Sequence, residues 1–156
     1  MGVVFYVDST GSHGWAVKVT GQVPSSKWAN SYGDVPYLTD RYSFLSASDS
    51  VQHYSGEYNT QCILAAGDAT QFPIAYVVDV EDGWYVPDIV QLNVLMSEYY
   101  YVNPTFQMLG FPFNMTQNYW SSTEHSSSKS WMMNVSGGMK TESKTASHLV
   151  LSIRGF

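Results

Sequence analysis

The residues best suited to chemistry are four histidines (His13, His53, His125 and His148), a single cysteine (Cys62) and a run of serines around Glu124. The histidines stand far apart, with no HExxH or comparable ligand spacing, so only the fold itself could assemble a metal site from them. No Gly-x-Ser-x-Gly elbow mounts a serine nucleophile. Glu124 and His125 together could serve as an acid and base pair, but without a pocket they read more simply as a loop tip. One cysteine supplies no disulfide, thiolate zinc cluster or redox pair, and Cys62 is expected as a small buried hydrophobe. The acidic residues are scattered in sequence, whereas calcium takes about six to eight oxygen ligands. The expectation is a chain that is not an enzyme, with no catalytic residue, no cofactor and no metal.

Residue types suited to recognition concentrate between Asn118 and Phe156. There the SSTEHSSSKS run lies between Tyr119-Trp120 and a strand-like SWMMNV, the pattern of a hairpin loop, and Ser136-Gly137-Gly138 marks a second turn. His148 to Ile153 is rich in the residues strands favour. The candidate ligand-binding residues are His125, Ser126, Ser127, Ser128, Met132, Asn134, Ser136, Met139, Thr141, Ser143 and His148. Alternation with a period of two assigns Trp131, Met133 and Val135 to the core and Ser130, Met132 and Asn134 to the opposite face, leaving Met132 exposed. His125, Ser127, Met132, Asn134, Met139, Thr141 and His148 are then expected on one exposed face. Such shallow contacts suit a protein or an extended glycan more than a small molecule in a deep pocket.

The elements that must position these residues fit one domain over 1–156, with 44% hydrophobic and 13% charged residues. A net charge of −6 with no basic stripe argues against nucleic acid or an anionic membrane surface as partner. No segment reaches the roughly 18 to 20 apolar residues that cross a bilayer. Nor does Met1-Gly2-VVFYV resemble a signal peptide, so the chain is expected either to be made without an export signal or to be a trimmed domain.

In chain order, Val3 to Val7 and Trp15 to Val19 predict an N-terminal hairpin closed by DSTGSHG. Gly21 to Ser55 is irregular and predicts a long loop, with at most a helical turn around Ser25 to Ser31, pinned by Trp28, Tyr32, Tyr37, Tyr42 and Phe44. A helix is expected from Glu57 to a stop at Gly67, and a piece from Ile74 to Val80 that is either helix or strand. The clearest helix follows Asp88, with Gln91 completing a capping box and Ile89, Leu92, Leu95, Met96 and Tyr99 on one face. Asn103 to Leu109 predicts one further helical turn, stopped by Gly110 and Pro112.

The pieces VVFYVDSTGSHG, GWYVPDIVQLNVL, YWSSTEHSSSKSWMMNVSGG and SIRGF resemble the bacterial Lcl-type C-terminal domain, which has a C-type-lectin-like fold. The resemblance runs end to end, and the YWSSTE block ahead of a spaced Trp is its specific part. Gln91 stands where that family usually has Glu, and Leu149 and Leu151 where Arg is frequent. The resemblance implies an α+β C-type-lectin-like fold: small antiparallel sheets, two main helices, long loops, paired N- and C-terminal strands and a C-terminal ligand surface. Formylglycine-generating enzymes share this broad fold but need paired cysteines. Calcium-dependent lectins carry Glu-Pro-Asn or Gln-Pro-Asp with Trp-Asn-Asp, and this chain has neither.

The variable proteins of diversity-generating retroelements are also similar, and their randomised Asn codons yield Ser, His, Tyr and Thr. His125, Ser126, Ser127, Ser128, Asn134, Ser136, Thr141, Ser143 and His148 fit that set, whereas Met132, Met139 and Lys140 do not. The implied role is a receptor-binding or adhesion module showing its C-terminal surface to a protein or glycan ligand on a cell surface. The alternative is a structural or assembly subunit of a pilus or phage tail. Either implies a cell-surface, extracellular or virion location, with no nucleic-acid partner and no membrane insertion by this domain, and either is compatible with an oligomer.

Overall fold

A computed structural model of the chain describes residues 1–20, 22–38, 40, 56–110 and 113–156. Tyr42, Phe44 and His53, together with the Pro112 stop signal, lie outside these described residues. The architecture is α+β, built on a three-stranded and a five-stranded sheet with four α-helices among the described residues.

The N-terminal hairpin forms as its β-branched and aromatic runs predict, from β1 (Gly2–Val7) and β2 (Gly14–Lys18). Its turn is organised by Asp8, whose Oδ1 accepts from the Thr10 amide at 3.1 Å, the Thr10 hydroxyl at 2.8 Å and the Ser12 amide at 3.2 Å. These bonds hold the Asp8 carboxyl at about 2, well below its ordinary value. The far end of the chain, β8 (Ile153–Gly155), pairs antiparallel with β2, giving the order β1-β2-β8 and joining the two ends of the chain in one sheet.

The second sheet comprises β3 (Ser25–Lys27), β4 (Tyr119–Ser126), β5 (Lys129–Asn134), β6 (Gly138–Ser143) and β7 (Ser147–Leu149), in the order β3-β7-β4-β5-β6. β3 replaces the helical turn expected around Ser25. The segment finds its partner 122 residues away, Ser26 opposite His148, and such distant pairing overrides local turn propensity. Trp28 is fully buried as expected, but Tyr32 and Tyr37 are 61% and 83% exposed and do not pin the segment through their rings.

Helix α1 (Gly56–Ala66) begins one residue before its expected start, and α2 (Pro73–Tyr76) opens on a proline whose missing N–H costs nothing in a first turn. The Ile74 to Val80 piece therefore starts helical and then passes into a 3-10 turn at Val80–Asp82. Helix α3 (Ile89–Ser97) is capped as its sequence predicts: the Gln91 amide donates to Asp88 Oδ1 at 2.8 Å, and the Asp88 amide donates to Gln91 Oε1 at 3.2 Å. Helix α4 (Tyr99–Met108) is longer than the single turn expected, despite Pro104. Tyr99, Val102, Asn103 and Phe106 form a buried stripe at helical spacing, and that packing outweighs the proline.

The five-stranded sheet separates two cores. One holds Phe5, Val17, Leu92, Leu95, Phe106, Tyr119 and Met133; the other holds Trp28, Ile63, Ile74, Val86, Trp120 and Met132. Cross-strand pairs follow the division, with Tyr119 opposite Met133 and Trp120 opposite Met132. The alternation read from SWMMNV is thus right in register, but Met132 is not exposed. It is 4% accessible, as is Met133, because the second face of the sheet is covered by α1, α2 and the Trp28 segment. Ser130 and Asn134 are buried on that face too: the Ser130 hydroxyl donates to the Thr123 carbonyl at 2.7 Å, and Asn134 Nδ2 donates to Asn118 Oδ1 at 2.8 Å. Trp131 and Val135, expected in the core, are only half-buried against the first one.

Candidate functional site

The candidate recognition residues distribute over both faces of the five-stranded sheet and its hairpin tips. Met139 and Thr141 on β6 stand opposite Met133 and Trp131, on the face of the first core, and His125 packs edge-on against Trp131 at 5.6 Å. Met132, Asn134 and His148 belong to the other face, with His148 edge-on to Trp120 at 4.9 Å. The seven positions expected on one exposed face therefore do not share one. Cross-strand pairing puts Met139 and Thr141 on the opposite face from Met132 and Asn134, and the second core then covers the face that Met132 occupies.

Ser127 and Ser136 are exposed at turns, while Ser126, Ser128 and Ser143 are half-buried. The Ser136 hydroxyl donates to the Met115 carbonyl at 3.3 Å, and Ser143 Oγ lies 3.2 Å from the Tyr32 hydroxyl. Backbone pairing fixes the β4–β5 tip: Gly33 N–H donates to the Ser127 carbonyl at 2.8 Å and Lys144 N–H to the Ser128 carbonyl at 3.0 Å. What this edge offers to solvent is a half-exposed strip of His125, Trp131 and Thr141, with Ser127 beyond it.

His148 lies inside the sheet. Its Nε2 is buried with no hydrogen-bond partner, and burial lowers its pKa below 6.5, with Glu142 pulling the other way. Beneath the hairpin tip, Glu124 and Lys144 form an ion pair with both side chains fully buried. The Val35 amide also donates to Glu124 Oε1 at 3.2 Å, and Lys144 Nζ donates to the Gly33 carbonyl at 2.7 Å from 4.8 Å above the Trp28 ring. Burial pushes the Glu124 carboxyl above its ordinary value, while Lys144 and the Val35 amide pull it down. Glu124 is thus a tie between the sheet and the segment around residue 33, where an acid and base pair with His125 was conceivable from sequence.

The acidic residues are less scattered in space than in sequence, since carboxylate oxygens of Asp34, Asp40 and Glu124 lie within 4.8 Å of one another. Three such groups fall short of a calcium shell, and the Lys144 ammonium already neutralises one of them.

Sequence reasoning overlooked the outer side of α4. Tyr100, Tyr101 and Met108 are 72%, 81% and 88% exposed, and Leu109 is 37% exposed. The signal lay in the consecutive tyrosines 99–101, because neighbours on a helix point 100° apart and a helix packed on one side cannot bury all three.

No family model matches the chain, and no curated protein does. Among solved structures, the chain is similar to a fimbrial protein from Bacteroides ovatus, with a TM-score of 0.70 and 17% identity. The match covers 92% of this chain and 36% of that one, so the chain spans about a third of the fimbrial protein's length. At this identity the likeness speaks to the fold alone, and nearly the whole chain shares the fold of one part of that fimbrial protein.

Proposed function

We propose that this chain is a structural or assembly module of a fimbria-like surface appendage, whose main contacts are with neighbouring subunits. The observation that carries the reading is the exposed apolar side of α4, where Tyr100, Tyr101 and Met108 are left uncovered on a helix otherwise packed into the first core. Large apolar side chains exposed together on one helix suit a protein contact: tyrosine gives contact area at low ordering cost, and methionine adapts to irregular partners. The fold shared with part of a fimbrial protein supports the same reading and a surface or extracellular location. In this reading the C-type-lectin-like fold and the kinship with Lcl-type domains supply a rigid frame, and catalysis plays no part.

The test is sedimentation velocity over a concentration series, comparing the parent chain with a Tyr100→Ser, Tyr101→Ser, Met108→Ser variant. Reversible association in the parent, lost in the variant at an unchanged melting temperature, is expected. A parent that remains monomeric throughout would remove this helix face from the assembly reading. A second reading, receptor binding by a lectin-like surface of the retroelement-diversified kind, is favoured by the half-exposed His125, Trp131 and Thr141 strip. Glycan and cell-surface protein arrays test it, with His125→Ala, Trp131→Ala and Thr141→Ala as the control expected to lose binding.

A further inference from the structure

At the end of the three-stranded sheet where the β1–β2 turn lies beside Phe156, a cleft of about 510 Å³ opens between that sheet and the starts of α1 and α3. That volume falls in the range of small-ligand sites. One wall is aromatic: Tyr6 stacks on Trp15 with centroids 4.4 Å apart at 25°, and the Phe156 ring lies beside them. Gly14 is required beside this wall, because a Cβ there would collide with the Tyr6 carbonyl oxygen and come within 2.6 Å of the Phe156 ring.

The polar lining carries two carboxylates, Asp8 and Glu57, beside His13, Tyr85 and Gln91. Asp8 remains ionised down to about pH 2, though its oxygens are occupied by the turn amides and by His13 Nδ1 at 3.4 Å. Glu57, in the first turn of α1, is exposed and takes no hydrogen-bond or ion-pair partner among the described residues. Its charge reaches Tyr85, which burial first and the charges of Glu57 and Asp88 next raise to about 12, so that the phenol stays protonated. The Tyr85 hydroxyl accepts from Gln91 Nε2 at 3.3 Å, which leaves its own proton free to donate.

We propose that this cleft binds an organic ammonium cation, its alkyl body against Tyr6, Trp15 and Phe156 and its charge held by Glu57 and the field of Asp8. Aromatic faces attract cations through their negative quadrupole, and the exposed Glu57 carboxylate, with no ion-pair partner among the described residues, supplies the charge that a neutral ligand would not use. An anion would meet Glu57 and Asp8 as like charges. The same chemistry is carried by a free quaternary ammonium compound and by a lysine side chain of another protein.

The experiment follows backbone amide shifts by NMR while the intact chain is titrated with choline, with Nα-acetyl-lysine amide and with the uncharged carbon isostere of choline. Saturable shifts at Tyr6, Trp15 and Tyr85 with at least one cation, and none with the isostere, are expected. Glu57→Gln, an exposed change, should weaken the binding roughly fivefold, and added salt should weaken it in the parent. Tighter binding of choline identifies a small quaternary ligand, and tighter binding of the lysine derivative a protein side chain. Equal response to the isostere, no saturable shift with either cation, or an affinity unchanged by Glu57→Gln would each overturn the proposal. Amides of α4 report on the assembly surface separately, so failure of one reading is distinguishable from failure of the other.

Discussion

Replacing Lys144 by Met should destabilise this protein more than almost any other single change at a charged residue. Both members of the Glu124 and Lys144 pair are fully buried, so the substitution leaves a carboxylate without its counter-ion and the Gly33 carbonyl without its donor. Removing one partner of a buried pair costs about 3–5 kcal/mol, which for a chain of this size lowers Tm by roughly 6–20 °C. Glu124→Gln should cost a similar amount by stranding the ammonium. The double variant tells more. Gln keeps an acceptor for the Val35 amide and no charge remains, so the double loss should be about 1–3 kcal/mol, set by the unpaired Gly33 carbonyl. Urea unfolding followed by tryptophan fluorescence measures all three, with a favourable coupling of several kcal/mol expected. Singles that cost less than about 1 kcal/mol, or that add up in the double, would refute the pair as the tie between the sheet and the segment around Val35.

Met132→Ala and Met133→Ala should each cost about 2–5 kcal/mol, because each side chain lies in a different core, and denaturant midpoints read the losses. His148 is half-buried with its Nε2 sealed off and its pKa depressed, so the unfolded chain binds more protons than the native one. Its contribution to stability is therefore present above pH 6.5 and lost as pH falls below that value toward the depressed native one. His148→Leu should flatten this slope in thermal melts across that window. Asp88→Ala removes a buried cap that closes a capping box and should cost about 1–2 kcal/mol by urea unfolding, whereas Ala at the exposed Ser136 should be silent.

Local signals in the sequence carried through where the structure is local. The hairpin around Asp8, the capping box of Asp88 and Gln91 and the register of SWMMNV were all legible because each depends on residues a few positions apart. What was not legible depends on distant partners. β3 exists only through its pairing with residues 147–149, and Met132 is buried because a segment a hundred residues earlier covers it. The same cause moved Asn134 and His148 out of the expected recognition surface. Trp131 stands at the margin of the first core, so its half-exposure depends on how far the helices extend along the sheet, a length that strand alternation cannot supply. Conversely, α4 lengthened because its buried stripe meets β1 and the Phe113 ring, contacts that no propensity at Pro104 foretells.

Site-specific photo-crosslinking in the intact protein on the cells that make it tests the assembly reading most directly. A crosslinker replacing Tyr101 on α4 should yield adducts with a neighbouring subunit, and one replacing Ser127 at the β4–β5 tip should yield none. Adducts from position 127 alone, with position 101 unreactive, would contradict the reading and return the chain to the display of its C-terminal surface.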